Sequence, residues 1–172
     1  MTPAGLFSYV LFFMHLDTRR VHLAGITLNP DQIWMKQVAR NLTMEGWGFL
    51  EGRQYLIIDR DTKFTSFFRA TIAGAGIKVI RLPRYSPNLN AYCERWILSV
   101  KSEALSRLVL FGEQALREAL SQYVDHYHEE RNHQGKGNVL LFPSAEQGRG
   151  TGSFACRERL GGMLKFYFRE AA

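Results

Sequence analysis

Cysteine is scarce in this chain of 172 residues, and the two present, Cys93 and Cys156, lie far apart. No pair has the Cys-x-x-Cys spacing of zinc and redox motifs, and two thiols cannot form the several disulfides of small secreted folds. The sequence therefore gives no sign of a disulfide framework or a cysteine-based zinc site. We expect two ordinary buried thiols in a reducing compartment.

Long apolar runs are also missing. The apolar stretch at residues 6–16 is shorter than the roughly 20 residues that cross a bilayer. It also lacks the basic leader and the small-residue cleavage site of a secretory signal. We therefore expect a cytoplasmic protein that has no membrane partner.

Acidic residues are few in the middle of the chain. Residues 52–107 hold ten Lys or Arg against four Asp or Glu, so this segment alone accounts for the net charge of +6. A localised positive charge favours a polyanion such as nucleic acid as the partner. A basic stretch is more often only a solvated face, so charge by itself leaves both interpretations open.

The first half of the chain alternates between strand and helix patterns. Residues 6–16 and 21–26 are rich in aromatic and β-branched side chains around a polar break, which predicts a hairpin. A capping side chain in the segment 29–31, with Pro30 at the first helical position, predicts a helix that carries Trp34, Val38 and Leu42 on one face until Gly46.

An apolar run at residues 55–58 ends abruptly in Asp59, Arg60 and Asp61, as is typical of a buried central strand that opens into a loop. A short helix containing Phe67, Phe68 and Ile72 and a strand at residues 77–82 follow. Strand, helix and strand in this order predict a parallel crossover.

A long helix follows the loop at residues 84–88. Its core stripe is predicted from apolar side chains at helical spacing, namely Cys93, Ile97, Val100, Ala104 and Leu108. Glu94 lies off that stripe and shares the other face with Asn90 and Lys101. Another amphipathic helix is predicted at residues 113–128, with Leu116, Leu120, Val124 and Tyr127 toward the core.

Asp59 and Glu94 could meet at the rim of one sheet, because ligands of open α/β sheets gather outside the carboxyl ends of the strands. Hard divalent cations take a few carboxylates from a protein, and two such ions can carry out in-line phosphoryl displacement. Alternatively, residues 59–61 are a strand-end turn, and Glu94 pairs with Lys101 or Arg95. Spacing alone does not choose between these interpretations.

Three segments resemble a known family: LIIDRDTKFTSFF, IKVIRLPRYSPNLNAYCERWILSVKSE, and YVDHYHEERNHQGKGN followed by LLFP. From about residue 5 to residue 143 the chain resembles the catalytic core of retroviral-type integrases and of the DDE transposases of bacterial insertion sequences. The final LGGMLKFYFREAA is similar to the tail of one bacterial subgroup. The motifs occur in the order that the family uses.

The resemblance implies an α/β fold of the ribonuclease-H-like class, a mixed sheet flanked by helices. It also implies cleavage and strand transfer of double-stranded DNA with Mg²⁺ or Mn²⁺, held by two Asp and one Glu. The expected setting is the bacterial cytoplasm near the nucleoid, and the expected assembly is a homo-oligomer. Residues 1–143 would form the core, and residues 144–172 a Gly-rich linker with a basic, aromatic tail.

The resemblance also assigns site residues. Asp59 matches the second Asp and Glu94 the Glu, with 34 residues between them, close to the interval usual in the family. Both would bind metal. The predicted DNA contacts are Lys101 and Arg95 on the long helix, Asn90 and Ser86 in the loop before it, and Arg131 in the later segment. The main role of that later segment would be structural, and this applies to Tyr127, His133 and, apart from its phosphate contact, Arg131.

The chain departs from the family pattern at its start. The first family Asp would lie in a central strand before Met1, so we expect an incomplete sheet, a marginal or aggregation-prone domain and impaired catalysis. Asp17 is a poor substitute because it lies in the predicted hairpin turn. Asp61 stands where glycine is common, and we interpret it as a turn acid. The alternatives are a non-catalytic DNA-binding remnant and a ribonuclease-H-like nuclease that does not join ends.

Other side chains have ordinary interpretations. His126, His128 and His133 lie close in sequence, but no cysteine has metal-ligand spacing to them, so we expect helix-end histidines rather than zinc ligands. Tryptophan should pack in the core or in loops (Trp34, Trp47 and Trp96). The aromatic tail should dock on the domain as a strand or helix, although stacking on DNA bases is the alternative.

Overall fold

The computed structural model describes residues 8–84, 87–143 and 151–170. The elements in chain order are β1 Tyr9–Met14, β2 Val21–Thr27, α1 Gln32–Leu42, β3 Tyr55–Ile58, α2 Ser66–Gly74, β4 Lys78–Arg81, α3 Ala91–Glu103, α4 Gly112–Glu129, β5 Phe154–Arg159 and β6 Leu164–Arg169. The class is mixed α/β as predicted, with three two-stranded sheets among the described residues. The finer ribonuclease-H-like arrangement remains a prediction.

The chain divides into two compact units. We call the described part of residues 7–12 and 22–91 the crossover unit, because it contains α1, β3, α2 and β4. We call residues 13–21 and the described residues from 92 onward the helical unit, because α3 and α4 form its core. The predicted hairpin, β1 and β2, contributes residues to both units.

Helix α1 begins at Gln32, two residues later than predicted. Asp31 is the N-cap, and its side chain accepts a hydrogen bond from the backbone N–H of Trp34 at 2.8 Å. Pro30 therefore precedes the cap instead of occupying the first helical position. The N–H groups of the first helical turn have no partner within the helix, and the Asp31 side chain reaches one of them. Capping one such donor stabilises a helix by about 1 kcal/mol. Val38 and Leu42 are buried as predicted.

Strands β3 and β4 are parallel and are joined by α2, which confirms the predicted crossover. The prediction that β3 is buried on both faces is wrong. Leu56 and Ile58 are buried, whereas Tyr55 and Ile57 are exposed. The side chains of a strand alternate between faces, and the described structure covers only one face of this pair. Phe67 is likewise exposed, on the outer side of α2.

The hairpin strands β1 and β2 form a sheet of their own. Among the described residues, β1 pairs with no strand other than β2, and its Tyr9 is 45% exposed. Open strand edges invite pairing with other chains. This agrees with the expected tendency to aggregate, which stays a prediction about behaviour in solution.

In the helical unit, the buried face of α3 differs from the predicted stripe. Trp96, Val100 and the following Ala104 are buried, whereas Cys93 is only half-buried. The α-helix ends at Glu103 and a 3-10 turn at Leu105–Arg107 follows, so Leu108 is outside the helical repeat. Helix α4 matches its prediction within one residue at each end.

The tail folds as an antiparallel hairpin, β5 and β6, against α4, which confirms the expectation of docking. Buried Glu130, directly after α4, accepts hydrogen bonds from Arg159 Nε at 2.9 Å and from Arg157 at 3.4 Å. The ring of His126 lies 3.0 Å from the same carboxylate. Cys156 is exposed, contrary to prediction, because it lies on the outward side of β5.

The hairpin turn between β1 and β2 is fixed within the helical unit. The guanidinium of Arg19 lies 3.2 Å from the ring centre of Tyr92, and that of Arg20 lies 4.5 Å from that of Phe142. The backbone N–H of Val21 donates to Nε2 of His128 at 2.9 Å. Burial, together with the positive charge of Arg20, lowers the pKa of His128 to about 4, so the ring is neutral and can accept this bond.

No helix in the described part of the chain is both long enough and apolar enough to span a membrane.

We predict that His128 makes folding depend on pH. Its folded pKa of about 4 is below the ordinary 6.5, so the unfolded chain takes up a proton first as pH falls. The contribution of the neutral His128 to the free energy of unfolding should be complete above pH 6.5 and should be lost progressively between pH 6.5 and pH 4. Urea unfolding should show wild type losing about 2 kcal/mol more than His128→Gln between pH 7 and pH 5. Equal losses in the two proteins would contradict this role.

Glu130→Gln should destabilise the protein by about 3 kcal/mol, because it leaves two arginines facing a buried site without a carboxylate. Glu118→Gln, the same change at an exposed position of α4, is the matched control and should shift stability by less than about 0.5 kcal/mol. Urea unfolding of both variants at pH 7 measures the difference. Similar midpoints for the two would show that the buried carboxylate does not hold the tail.

Candidate functional site

Asp59 lies at the exit of β3 in the crossover unit, and its side chain is exposed. One carboxylate oxygen, Oδ1, accepts the backbone N–H of Asp61 at 2.9 Å. The ends of β3 and β4 are tied together because Leu82 donates its N–H to the carbonyl of Ile58 and receives the Nε–H of Arg60 on its own carbonyl, both at 2.9 Å. Asp59 is therefore a solvent-facing carboxylate on a well-braced strand end.

Asp61 is occupied by Lys63. Its Oδ1 accepts the backbone N–H of Lys63 at 2.9 Å, and the Lys63 ammonium lies 3.0 Å from Oδ2. Partial burial by itself would raise the pKa of Asp61, but the bonds from Lys63 outweigh it and hold that pKa below its usual value. This geometry supports Asp61 as a turn acid rather than an additional metal ligand.

Glu94 lies in the first turn of α3 and is exposed. Across the part of the chain that the structure describes, no ion pair joins Glu94 to Arg95 or Lys101, although both are also exposed. The alternative that Glu94 serves only as a partner of these cations therefore has no support. Lys101 is two helical turns further on the same face, about 10 Å along the axis.

The loop before α3 is partly described. Asn90 is half-buried and closes a 3-10 turn at Pro87–Asn90, so it adjoins α3 without being part of it. The predicted spacing of four residues on one helical face therefore does not hold between Asn90 and Glu94. Ser86 lies outside the described residues.

A polar cluster that the sequence did not suggest holds α3 against the end of α4. Arg131 makes two bonds to the carboxylate of Glu103, with Nη2 2.6 Å from Oε1 and Nε 3.0 Å from Oε2. The hydroxyl of Tyr123 donates to Oε2 at 2.9 Å. Burial and the Glu103 charge raise the pKa of Tyr123, which keeps the hydroxyl protonated as a donor.

This cluster gives Arg131 a structural role. Burial opposes its charge, but the bonds that Arg131 donates to the Glu103 carboxylate outweigh burial and raise the pKa of Arg131. Glu103 and Arg131 are 28 residues apart, and no local pattern links them. The only available sequence signal was that each lies within a family-like segment, SVKSE or YVDHYHEERNH. The predicted phosphate contact of Arg131 remains a prediction.

The three nearby histidines have three different partners. His126 contacts Glu130, His128 accepts from Val21, and Nε2 of His133 lies 2.7 Å from the carbonyl of Tyr127. Each ring is thus used to fix the backbone or a neighbouring side chain. Within residues 8–84, 87–143 and 151–170, no group of three or more His, Cys, Asp or Glu side chains is arranged to hold a metal.

The donor chemistry of the predicted site still suits a hard divalent cation, since Asp59 and Glu94 both present exposed carboxylate oxygens. They belong to different units, Asp59 to the crossover unit and Glu94 to the helical unit. Two upstream acids are engaged elsewhere: Asp31 caps α1, and Glu51 accepts the N–H of Gly46 at 2.9 Å. Asp17 lies in the hairpin turn, as predicted.

Trp47 is 85% exposed, which contradicts the prediction of packing. It occupies the turn that follows α1, where the chain has left the helix face that Val38 and Leu42 bury. Trp96, by contrast, is buried as predicted, and Trp34 is half-buried against Gly25, where an added Cβ would come within 2.7 Å of the indole ring.

In a comparison with known families, residues 75–139 match the integrase core domain. The matched residues include β4, α3 and α4, with Glu94 and all five predicted DNA contacts, whereas Asp59 precedes them. No curated protein matches the chain. The match indicates DNA integration or transposition in broad terms. Residues 75–139 of the chain are therefore similar to the integrase core domain.

Proposed function

We propose that this chain is a DNA strand-transfer core in which Asp59 and Glu94 bind a divalent metal ion, Mg²⁺ or Mn²⁺. The reaction would be hydrolytic nicking at a DNA end, followed by attack of the freed 3′ hydroxyl on a phosphate of target DNA. Double-stranded DNA is the substrate, and the working form is a homo-oligomer with a ribonuclease-H-like arrangement of the core. Residues 1–143 form this core.

The observation that carries the proposal is the state of Glu94. It is an exposed carboxylate inside the matched segment, on a helix that Trp96 and Val100 anchor from the opposite side. Carboxylates on protein surfaces usually need no partner, so exposure alone would mean little. Arg95 and Lys101 are within reach of the same helix face, and in the part of the chain that the structure describes neither forms an ion pair with Glu94. All three groups are therefore available to a phosphate and its metal ion.

Asp59 supplies the second carboxylate. The bond from the N–H of Asp61 restrains the Asp59 side chain, and the bonds between the ends of β3 and β4 hold the strand end, so little side-chain freedom is lost on binding. When bound, a divalent ion would activate the attacking hydroxyl and stabilise the leaving oxygen. Glu94 and Asp59 would orient that ion. Among the described residues no group of three acids is arranged to hold a metal ion, so we propose that turnover is weak.

Lys101 and Arg95 would bind the DNA backbone, and Asn90 and Ser86, from the loop before α3, would also contact the DNA. Ammonium and guanidinium groups form strong charge-assisted bonds with phosphate oxygens. Arg131 and Tyr123 both donate to Glu103, two residues after Lys101, and these bonds fix that end of α3. The fixed helix end supports a phosphate contact by Lys101. A mobile helix end would make the same contact at a greater entropic cost.

Metal-dependent nicking tests the catalytic carboxylates. The purified chain should convert supercoiled plasmid to open circles with Mn²⁺, and Asp59→Asn or Glu94→Gln should each lower the rate by at least about 100-fold, since each removes a metal ligand. Asp61→Asn is the matched control, because Lys63 already occupies that carboxylate, and it should retain most activity.

The outcomes separate the alternatives. Joining of a 3′ end to target DNA distinguishes strand transfer from a nuclease that only hydrolyses. Binding to DNA with no metal-dependent nicking at any protein concentration would identify a non-catalytic remnant and refute the catalytic part of the proposal. Equal loss of activity in Asp61→Asn and Asp59→Asn would show that the loop fold, rather than the Asp59 carboxylate, is what matters.

Lys101→Ala should weaken duplex DNA binding uniformly across sequences. Loss of one phosphate contact reduces the slope of log affinity against log salt by about 0.9. Fluorescence anisotropy at several salt concentrations measures both effects. Arg117→Ala on α4 removes an exposed cation that is already paired with Glu113, and it should leave the slope unchanged. The same slope for wild type and Lys101→Ala would exclude Lys101 as a phosphate contact.

A further inference from the structure

The hairpin of β5 and β6 carries aromatic rings on the face turned away from α4. The outward residues are Phe154, Cys156 and Glu158 on β5, opposite Arg169, Tyr167 and Lys165 on β6. Phe154 is 73% exposed and Tyr167 is 67% exposed. Two large rings on one outer face of a two-stranded sheet do not contribute to the core, because the core-facing positions belong to the alternate residues.

The inward face holds the hairpin firmly in place. Besides the bonds to Glu130, Arg159 Nη1 lies 3.0 Å from a carboxylate oxygen of Asp125. The backbone N–H of Leu160, in the turn between the strands, donates to the side chain of Gln122 at 2.8 Å. The outer rings are therefore displayed on a preorganised surface, and a ligand that binds them need not order the hairpin first.

The charges of the hairpin are divided in the same way. Arg157 and Arg159 face inward and are neutralised by Glu130 and Asp125. Arg169 faces outward, donates to the carbonyl of Gly152 and lies over the ring of Phe154 at 4.0 Å. Among the residues that the structure describes, Arg169 forms no ion pair. Its charge remains available to an anion directly beside an exposed ring.

We propose that this outer face binds single-stranded DNA, with bases stacked on Phe154 and Tyr167 and a backbone phosphate held by Arg169. Phe154 and Tyr167 are diagonal neighbours in the register, roughly 7–8 Å apart, which allows one base on each ring. A duplex hides its base faces within the stack, so these rings favour an unpaired strand. The choice of DNA as the polyanion rests on the proposed function.

Binding of a labelled oligothymidylate of about 15 nucleotides, followed by anisotropy in EDTA, tests the proposal without any metal or turnover. Phe154→Ala and Tyr167→Ala should each weaken binding roughly tenfold. Arg169→Met should weaken it and reduce the salt slope by about 0.7, the value for one contact on a single strand. All three side chains are exposed, so near-wild-type thermal unfolding is expected.

Phe111→Ala is the matched control, because Phe111 is also a phenylalanine of the helical unit and is 67% exposed. It should bind the oligonucleotide as wild type does. Four results would each overturn the proposal. They are unchanged binding by Phe154→Ala and Tyr167→Ala, an equal loss of binding with Phe111→Ala, tighter binding of a duplex of equal length, and a change only in oligomeric state. Asp59→Asn and Glu94→Gln should bind normally, so failure of nicking and failure of this surface are distinguishable.

Discussion

Two successive charged residues at the end of α4 hold the helical unit together. Glu130 is directed to the tail hairpin, where it meets Arg157, Arg159 and His126, and Arg131 is directed to Glu103 at the end of α3. A buried charge without a partner is costly, and removal of one partner destabilises strongly. The positions of both the tail and the helix that carries Glu94 therefore depend on this one pair of neighbours.

This arrangement explains why the proposed functional groups lie on the outside of the unit. The inward charges are paired within the fold, because Glu103 and Glu130 form ion pairs with arginines. The outward groups are left for ligands: Glu94 and Lys101 on α3, and Arg169 on β6. The division follows from desolvation, since only exposed charges can stay unpaired at little cost.

In the crossover unit, local sequence signals were sufficient for much of the structure. The parallel pairing of β3 and β4, the helix between them and the exposed acid at the strand exit were all predictable, because short apolar runs bounded by acids and glycines have few alternatives. Burial was less predictable. Ile57 has the same chemistry as Ile58, and only the placement of the neighbouring elements decides which of the two is covered.

The sequence by itself determined the element order and the basic middle segment, because these depend on residue type and short-range periodicity. Its resemblance to the integrase family singled out Asp59 and Glu94 as the candidate carboxylates, which spacing alone had left open. Only the tertiary structure decided that Lys63 occupies Asp61, that Arg131 pairs with Glu103 and that the tail is a hairpin on Glu130. The last two pairings join residues 27 to 29 positions apart in the chain. No local pattern encodes such distances, since they arise when packing brings separate elements together and buried charges must find partners.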